Sequence, residues 1–293
     1  MSVRVERVLL SDLGDAEDGR TGLAYAVLVT WSAPKRLNAL TGAMMAQAAD
    51  AVREADADPA VMAVVFTGDP ASRLMSSGAD LSAGTAASES LRDSTALDFM
   101  RAVRACRPLV CVAIHGAAVG IMLTVLAHSD LAVADRSAFF MAPFGPLGIC
   151  PEFGASRLLP QRMGRQAAMK VMLWGDRISA EDALRAGIVT ELVDAGRFEA
   201  GEAAGLSSAI PPGLATPPLR RVMDRLVSLA RSLPRPSRTA RLFREMVTQA
   251  AAGASSVPDL LELEMRTLGQ RLRDGIPMEA MMLRARSGRD AKL

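Results

Sequence analysis

The stretch with the clearest chemical potential runs from His115 to Asp130, HGAAVGIMLTVLAHSD. Small residues lead from an apolar run into a segment that is apolar on every side, which predicts a strand, a tight turn and a buried helix. The first N–H groups of such a helix have no partner within it, so they can hold an anion or an oxygen that becomes negative during a reaction. We expect an oxyanion site near Gly120 and Ile121, and an ordinary tight turn is the alternative.

Other kinds of site have little support in the sequence. The segment from Gly116 to Gly120 lacks the Gly-x-Gly spacing and the later acidic partner of a dinucleotide-binding fingerprint. Two distant histidines, His115 and His128, and the absence of a cysteine cluster predict that there is no metal site. We interpret both histidines as structural residues.

Composition restricts the class of protein. The 293 residues are 50% hydrophobic and 23% charged, and the net charge of +2 argues against a dedicated nucleic-acid-binding protein. The length predicts one large domain, or one domain with an appendage. We expect no signal peptide, because residues 1–10 alternate charged and apolar side chains, and no membrane span, because no apolar run approaches about 20 residues. Three cysteines in apolar surroundings (Cys106, Cys111 and Cys150) predict reduced core residues in a cytoplasmic protein.

The elements that would position the oxyanion turn follow an α/β pattern. Strands are predicted near 3–8, 25–31, 61–67, 109–114, 131–134, 138–141 and 188–193, with helices at 41–57, 96–106, 156–174 (broken at Pro160 and Gly164) and 179–187. Their alternation predicts parallel pairing. Acidic residues 11–22 suggest a turn, and residues 84–94 a polar excursion. After a Pro-rich break at 209–218, helices with basic faces are predicted at 219–230, 239–250 and 260–272, followed by a short one at 278–285.

Five motifs in a fixed order carry a family resemblance. They are KRLNAL from Lys35, MSSGADL from Met75, RPLV followed by HGAAVG from Arg107, DLAVAD from Asp130 and LGICPE from Leu147. In this order they resemble the crotonase superfamily, the enoyl-CoA hydratase/isomerase family, and most closely its Δ3,Δ2-enoyl-CoA isomerases. The resemblance implies a ββα spiral core over residues 1–208. It also implies a C-terminal helical region over 209–293 that serves oligomerisation and forms a lid over the acyl pocket.

The resemblance implies that the enzyme stabilises a thioester enolate. The oxyanion would be held by the backbone N–H groups of Ala79 and Ile121. Hydratases of the family use two glutamates, and Thr124 and Phe144 occupy the matching positions here. Hydration needs a base for water and an acid for carbon, so these two residues disfavour hydratase activity.

Glu152 is the carboxylate that the resemblance to the isomerases singles out. In those enzymes a single glutamate removes a proton from C2 and returns it at C4. Apolar neighbours, namely Phe144, Leu147, Ile149 and Phe153, should raise the pKa of Glu152 and favour return of the proton. Phe153 departs from the family, where Gly is frequent, and could narrow the pocket. The structural alternative for Glu152 is a carboxylate that interacts with a helix N-terminus.

The substrate-binding residues are also implied by the resemblance. The segment that lines the CoA nucleotide pocket contains Lys35, Arg36, Leu37 and Ala39, for which a solvated basic loop is the alternative. The remaining substrate-binding candidates are Ser77, Gly78, Asp80, Leu81, Gly120, Thr124, Phe144 and Leu147. We interpret Asp80 mainly as a turn-stabilising residue and Asn38 as a brace for its loop.

The favoured function is therefore that of an enoyl-CoA isomerase that binds an acyl-CoA thioester and needs no cofactor, because CoA enters with the substrate. The alternatives are another crotonase reaction, such as hydration or ring-epoxide isomerisation, and a non-catalytic acyl-CoA-binding protein. A homotrimer, or a hexamer made of two trimers, is expected, with neither a nucleic-acid nor a membrane partner. RNA binding through the basic C-terminal helices is the weakest alternative.

Overall fold

The computed structural model describes residues 1–11, 23–80, 94–194, 210–211, 213–251 and 257–276. The strands are β1 (Ser2–Ser11), β2 (Ala24–Ser32), β3 (Val61–Gly68), β4 (Leu109–Ile114), β5 (Ala117–Val119), β6 (Leu131–Asp135), β7 (Phe139–Met141), β8 (Ile178–Ser179) and β9 (Glu191–Val193). The helices are α1 (Gly42–Ala57), α2 (Thr95–Ala105), α3 (Ile121–Leu126), α4 (Ala155–Met163), α5 (Arg165–Met169), α6 (Ala180–Arg185), α7 (Pro217–Ser232), α8 (Pro236–Ala251) and α9 (Val257–Arg273). The predicted turn before β2, the polar excursion before α2 and the last short helix fall largely or wholly outside the described residues.

A six-stranded sheet in the order β1-β2-β3-β4-β6-β9 forms the centre of the molecule. β1 pairs antiparallel with β2, and every later pair is parallel, as the α/β pattern predicts. All eight residues of β3 are buried. Helices cover both faces of the sheet, so its inner strands are continuous apolar runs rather than alternating ones.

A second, small sheet joins β5, β7 and β8, with β5 parallel to β7 and β8 antiparallel to it. The sequence-based interpretation of Ala117–Val119 as part of a tight turn is wrong, because these residues pair with Phe139–Met141 as a strand. A strand of three small residues is too short to show a period of two. The pairing matters for the site, since β5 leads directly into α3.

One face of the main sheet is covered by α1 and α2. Three aromatic rings form its centre: Trp31 stacks on Phe66 with centroids 5.9 Å apart, and Phe99 meets both rings edge-on at 5.8 Å. All three side chains are fully buried. With few aromatic residues in the chain, the rest of this core is built from Ala, Val, Leu, Ile and Met.

The other face of the sheet is covered by α7 and the start of α8. Apolar residues from Ile210 to Ala240 pack against side chains of β1, β2, β3, β4 and β6. Thr216 begins α7, and its side-chain oxygen accepts a hydrogen bond from the Leu219 N–H at 3.3 Å. The first part of the C-terminal region therefore completes the core, and a separate unit from residue 209 onward stays a prediction.

The predicted break at Pro160 is wrong. Pro160 lies inside α4, and the chain changes direction only at Gly164, whose φ is +79°. Proline removes a single backbone donor from this short helix, which is insufficient to end it here. After α5 the chain continues as a π-helical turn over Lys170–Trp174.

Cys150 also departs from the prediction. Cys106 and Cys111 are buried, and burial raises the pKa of the Cys106 thiol to about 11. Cys150, however, is exposed in the loop between β7 and α4, where residues 146–151 all face solvent. Its apolar sequence neighbours do not make it a core residue. Among the described helices, none is long and apolar enough to cross a membrane.

Candidate active site

Asn38 fastens the loop before α1 to the loop after β3. Its buried side chain accepts a hydrogen bond from the Ala33 N–H at 3.0 Å and donates to the carbonyl oxygens of Asp69 and Leu74, also at 3.0 Å. The φ of Asn38 is +53°, in the left-handed region that Asn tolerates better than most residues. The predicted role as a loop brace is confirmed.

The segment from Ser76 to Asp80 lies between this loop and β5. The Leu40 N–H donates to the Gly78 carbonyl at 2.8 Å, and the Asp80 N–H donates to the Leu40 carbonyl at 2.8 Å. Across a trans peptide, a carbonyl and the following N–H point in opposite directions. Because the Gly78 carbonyl points toward Leu40, the Ala79 N–H points away from it.

On its other side the same segment pairs with β5. The Ser76 N–H donates to the Ala117 carbonyl, and the Val119 N–H donates to the Ser76 carbonyl, both at 3.2 Å. A Cβ added to Gly78 would lie 3.7 Å from the Gly120 Cα. The two turns, Gly78-Ala79 and Gly120-Ile121, therefore lie side by side, with room for little more than one methyl group between them.

Ile121 begins α3 with its N–H directed out of the helix. The Gly120 carbonyl accepts hydrogen bonds from the N–H groups of Leu123 and Thr124 at 3.0 and 3.1 Å, so it points along the helix, and the next N–H points the opposite way. Neither the Ala79 nor the Ile121 N–H has a hydrogen-bond partner in the described part of the chain. Each of these two N–H groups directly follows one of two neighbouring glycines, Gly78 and Gly120.

Thr124 and Phe144 are the two positions that the family resemblance matches to the hydratase glutamates, and neither is a carboxylate. Thr124 is fully buried, and its hydroxyl donates to the Ile121 carbonyl at 2.9 Å. Phe144 is 3% exposed. Neither side chain carries a titratable group.

Glu152 is a partly buried carboxylate in the turn between β7 and α4. Burial raises the pKa of Glu152 above its ordinary value, and no charged neighbour contributes to the shift. The direction agrees with the prediction. Its cause is only partly the predicted one, because Leu147 and Ile149 are each 50% exposed while Phe144 is buried.

Phe153 and His128 form a contact that the sequence did not reveal. The His128 Nε2 lies 2.8 Å from the Phe153 carbonyl oxygen, and the two rings stack with centroids 3.9 Å apart. These residues are 25 positions apart in the chain, and no periodic pattern connects them. The contact ties the turn of Glu152 to the end of α3.

The basic loop proposed to face CoA nucleotide is exposed at its tip. Lys35 and Arg36 face solvent, whereas Ala39 is buried. An Arg36 Nη1 lies 2.5 Å from Asp80 Oδ2, and the Ser77 hydroxyl donates to the Arg36 carbonyl at 3.4 Å. The structural role predicted for Asp80 agrees with this ion pair. Leu81 lies outside the described residues.

His115 has a structural role, and the described residues offer no metal site. The His115 Nε2 donates to the Ser72 carbonyl at 3.2 Å, which confirms a structural hydrogen bond, and burial lowers the pKa of His115. Among the described residues, no group of three or more His, Cys, Asp or Glu side chains could hold a metal ion.

Comparison with known proteins identifies the family. The chain is 36% identical over 173 residues to a probable enoyl-CoA hydratase of Mycobacterium tuberculosis, a match that covers 58% of this chain and 67% of that protein. It is 34% identical over 184 residues to enoyl-CoA delta isomerase 2 of Rattus norvegicus, covering 58% of this chain and 44% of the relative. The structure of OdaA from Pseudomonas aeruginosa superposes with a TM-score of 0.63 at 31% identity, over 89% of this chain and 88% of that one. The protein-family model described as enoyl-CoA hydratase/isomerase matches residues 23–207, and the chain therefore belongs to this family.

Proposed function

We propose that the protein is a Δ3,Δ2-enoyl-CoA isomerase that uses Glu152 as its single base. The Glu152 carboxylate removes a proton from C2 of a 3-enoyl-CoA, and the electron pair moves onto the thioester oxygen as an enolate. The resulting carboxylic acid then returns the proton to C4, which leaves the double bond between C2 and C3. Atoms and charge balance without water or a redox partner.

The Ala79 and Ile121 N–H groups stabilise the enolate oxygen in this proposal. Both donors belong to the backbone, and each is fixed by the hydrogen bonds of the carbonyl before it. Donors held in place before the reaction cost no reorganisation when negative charge develops. Removing one such donor typically costs about 2.7–4 kcal/mol of transition-state stabilisation.

The identity of three side chains favours an isomerase over a hydratase. Thr124 is buried and donates to a carbonyl within its own helix, and Phe144 has no titratable group. Glu152 is a carboxylate whose burial raises its pKa, which suits a group that must both accept and return a proton. One base that reaches two carbons is sufficient for a double-bond shift.

The substrate is bound through its CoA part, and the protein needs no other cofactor in this proposal. The segment of Lys35, Arg36, Leu37 and Ala39 faces the nucleotide, with Ser77, Gly78, Asp80 and Leu81 beside it. Gly120, Thr124, Phe144 and Leu147 surround the acyl part. Lys35, exposed at the tip of the loop, provides the positive charge that phosphate requires.

Hydration is the second candidate function, because a relative that is 36% identical is described as a probable enoyl-CoA hydratase. The two reactions differ in mass balance. Hydration adds one water molecule to a 2-enoyl-CoA, whereas isomerisation leaves the mass of a 3-enoyl-CoA unchanged. A non-catalytic acyl-CoA-binding protein would do neither.

The deciding experiment incubates the protein with a 3-enoyl-CoA in heavy water and follows absorbance and mass. We expect a conjugated 2-enoyl-CoA product and no hydrated product, with deuterium at C4 to the extent that the protonated Glu152 exchanges with solvent before it returns the proton. The Glu152→Gln variant should bind an unreactive acyl-CoA thioester as the wild type does, and should lose the double-bond shift. Glu54→Gln, a change of the same kind on the exposed surface of α1, should remain active. Full turnover by Glu152→Gln would refute the proposal.

We further propose that the protein works in the cytoplasm as a homotrimer or a hexamer of two trimers. The C-terminal region, residues 209–293, would supply subunit contacts and a lid over the acyl pocket. α8 and α9 support this assignment because each displays large apolar side chains to solvent in the single chain.

A further inference from the structure

The His128 side chain makes two contacts with Phe153, the residue that follows Glu152. The His128 Nε2 lies 2.8 Å from the Phe153 carbonyl oxygen, and its ring lies on the Phe153 ring at an interplanar angle of 20°. A carbonyl oxygen can only accept, so Nε2 carries the hydrogen and donates. A single side chain therefore holds both the backbone and the ring of Phe153.

Phe153 occupies a conformation that requires such support. Its φ is +52°, in the left-handed region where a side chain with a Cβ is strained. The Ala155 N–H closes the turn by donating to the Glu152 carbonyl at 2.9 Å. Without a contact from outside, the turn could relax and carry Glu152 with it.

His128 is itself held by the surrounding chain. The Arg244 guanidinium donates to the His128 carbonyl at 3.4 Å, and Arg162 donates to the preceding carbonyl, that of Ala127, at 3.0 Å. Burial, together with Arg244, Arg104 and Arg162, lowers the pKa of His128. The imidazole is therefore neutral near neutral pH, and its hydrogen on Nε2 is fixed by the Phe153 carbonyl.

We propose that His128 is a positioning residue that fixes Glu152 by clamping Phe153. α3 then positions both the oxyanion donor and the base. It begins at Ile121, whose N–H is the donor, and it is followed by His128, which holds the turn of Glu152. His128 lies seven positions after Ile121 and two positions after the end of α3. This inference rests on the proposed role of Glu152, because the clamp has a catalytic consequence only if that carboxylate is the base.

The test compares His128→Ala with Ser129→Ala, which removes a hydroxyl that donates to the Leu126 carbonyl one turn earlier. For His128→Ala we expect kcat of the double-bond shift to fall about tenfold with little change in KM, because the base is displaced and CoA binding is not. Hydrogen exchange of the Ala155 amide should accelerate about tenfold, since one neutral hydrogen bond that supports the turn is lost. Ser129→Ala should change neither quantity.

Two further variants distinguish an effect of His128 on the position of Glu152 from an effect on the stability of the whole protein. His128→Gln keeps an N–H donor without the ring and should recover part of kcat. Phe153→Ala keeps the carbonyl and removes the ring stack. The kcat of the double variant His128→Ala/Phe153→Ala should be no lower than that of the slower single variant, because both changes remove the same support. Phe153→Ala also serves as the test if His128→Ala does not fold.

Two results would overturn the inference. The first is a folded His128→Ala variant with wild-type kcat, even if its melting temperature is lower. The second is unchanged exchange of the Ala155 amide. Glu152→Gln is assayed in parallel: if it still shifts the double bond, the proposed function fails, and the exchange rate alone then decides whether the clamp exists.

Discussion

Gly78 controls the position of one proposed oxyanion donor. Its φ is +93°, and an added Cβ would lie 3.0 Å from the Val119 carbonyl oxygen. A side chain here would push the Gly78-Ala79 turn away from Gly120-Ile121. We expect Gly78→Ala to lower kcat about 100-fold, as expected when one oxyanion donor is lost, while the chain still folds. Steady-state kinetics on a 3-enoyl-CoA, with circular dichroism to verify folding, measures both effects.

The matched control for Gly78 is Gly213→Ala. Gly213 has a similar φ, +85°, but an added Cβ would meet nothing within 4 Å. The Gly213→Ala variant therefore introduces backbone strain without a steric clash, and this strain costs about 1 kcal/mol of stability. Near-normal kcat in Gly78→Ala would mean that the Ala79 N–H does not bind the oxyanion.

The ionisation of Glu152 predicts the acid side of the pH profile. A base is active as the carboxylate, and burial raises the pKa of Glu152 above its ordinary 4.5. Activity should therefore fall, as pH is lowered, at a pH above 4.5. The measurement is kcat/KM against pH, which reports the free enzyme. An acid limb at or below 4.5 would argue against a buried base, provided that the protein remains folded throughout the range.

At the scale of elements, Asn38 joins two loops, the one before α1 and the one after β3, that together form the first half of the site. Its side chain makes hydrogen bonds with the backbone of Ala33, Asp69 and Leu74, and it is fully buried. Asn38→Ala should reduce the free energy of unfolding by about 2–3 kcal/mol, because buried backbone groups lose their partners. Asn38→Asp keeps the acceptor for the Ala33 N–H but places a carboxylate against two carbonyl oxygens, so it should be no better than Ala. Urea unfolding compares the two variants, and a loss below about 0.5 kcal/mol for both would contradict the brace.

Long elements with a clear period could be predicted from the sequence, and short ones formed by tertiary pairing could not. The helix after Thr41 and the strand at β3 agree with prediction within one residue. β5 has three residues and exists because β7 pairs with it. The two glycine turns lie next to each other because of this pairing. From the sequence, their proximity could be inferred only through the family resemblance. The His128–Phe153 contact depends on a left-handed Phe, which no local preference predicts.

At the scale of the whole molecule, the C-terminal region has two distinct surfaces. The side of α7 that faces the sheet is buried with β1, β2, β3, β4 and β6 and completes the second layer of the core. Arg244 on α8 is inserted between α2 and α3, where it donates to the Cys106 carbonyl at 3.0 Å and pairs with Asp130. The inner parts of α7 and α8 therefore belong to the same folding unit as the site. Subunit contacts, if they form here, must use the outward side of the helices.

The outward side of α8 and α9 presents apolar side chains at helical spacing. Phe243 and Val247 are 62% and 65% exposed, and Met265 and Leu268 are 64% and 47% exposed. Spacings of four and three residues place each pair on one side of its helix. Such side chains in a single chain indicate a surface that association would bury. We predict that the double variant Phe243→Glu/Val247→Glu converts the oligomer to a monomer of 30.9 kDa, as measured by light scattering after gel filtration.

Trp174 provides the control for this assembly prediction. It is 62% exposed, like Phe243, but lies beside the exposed Leu173 in the π-helical turn after α5, outside the C-terminal region. Trp174→Glu introduces the same charge at equal exposure and should leave the oligomer intact. If Trp174→Glu alone releases monomers, the subunit contact lies at the π-helical turn after α5 instead. A wild-type protein that is already monomeric would remove the C-terminal helices from any role in assembly, and the lid over the acyl pocket would then have to come from the same chain.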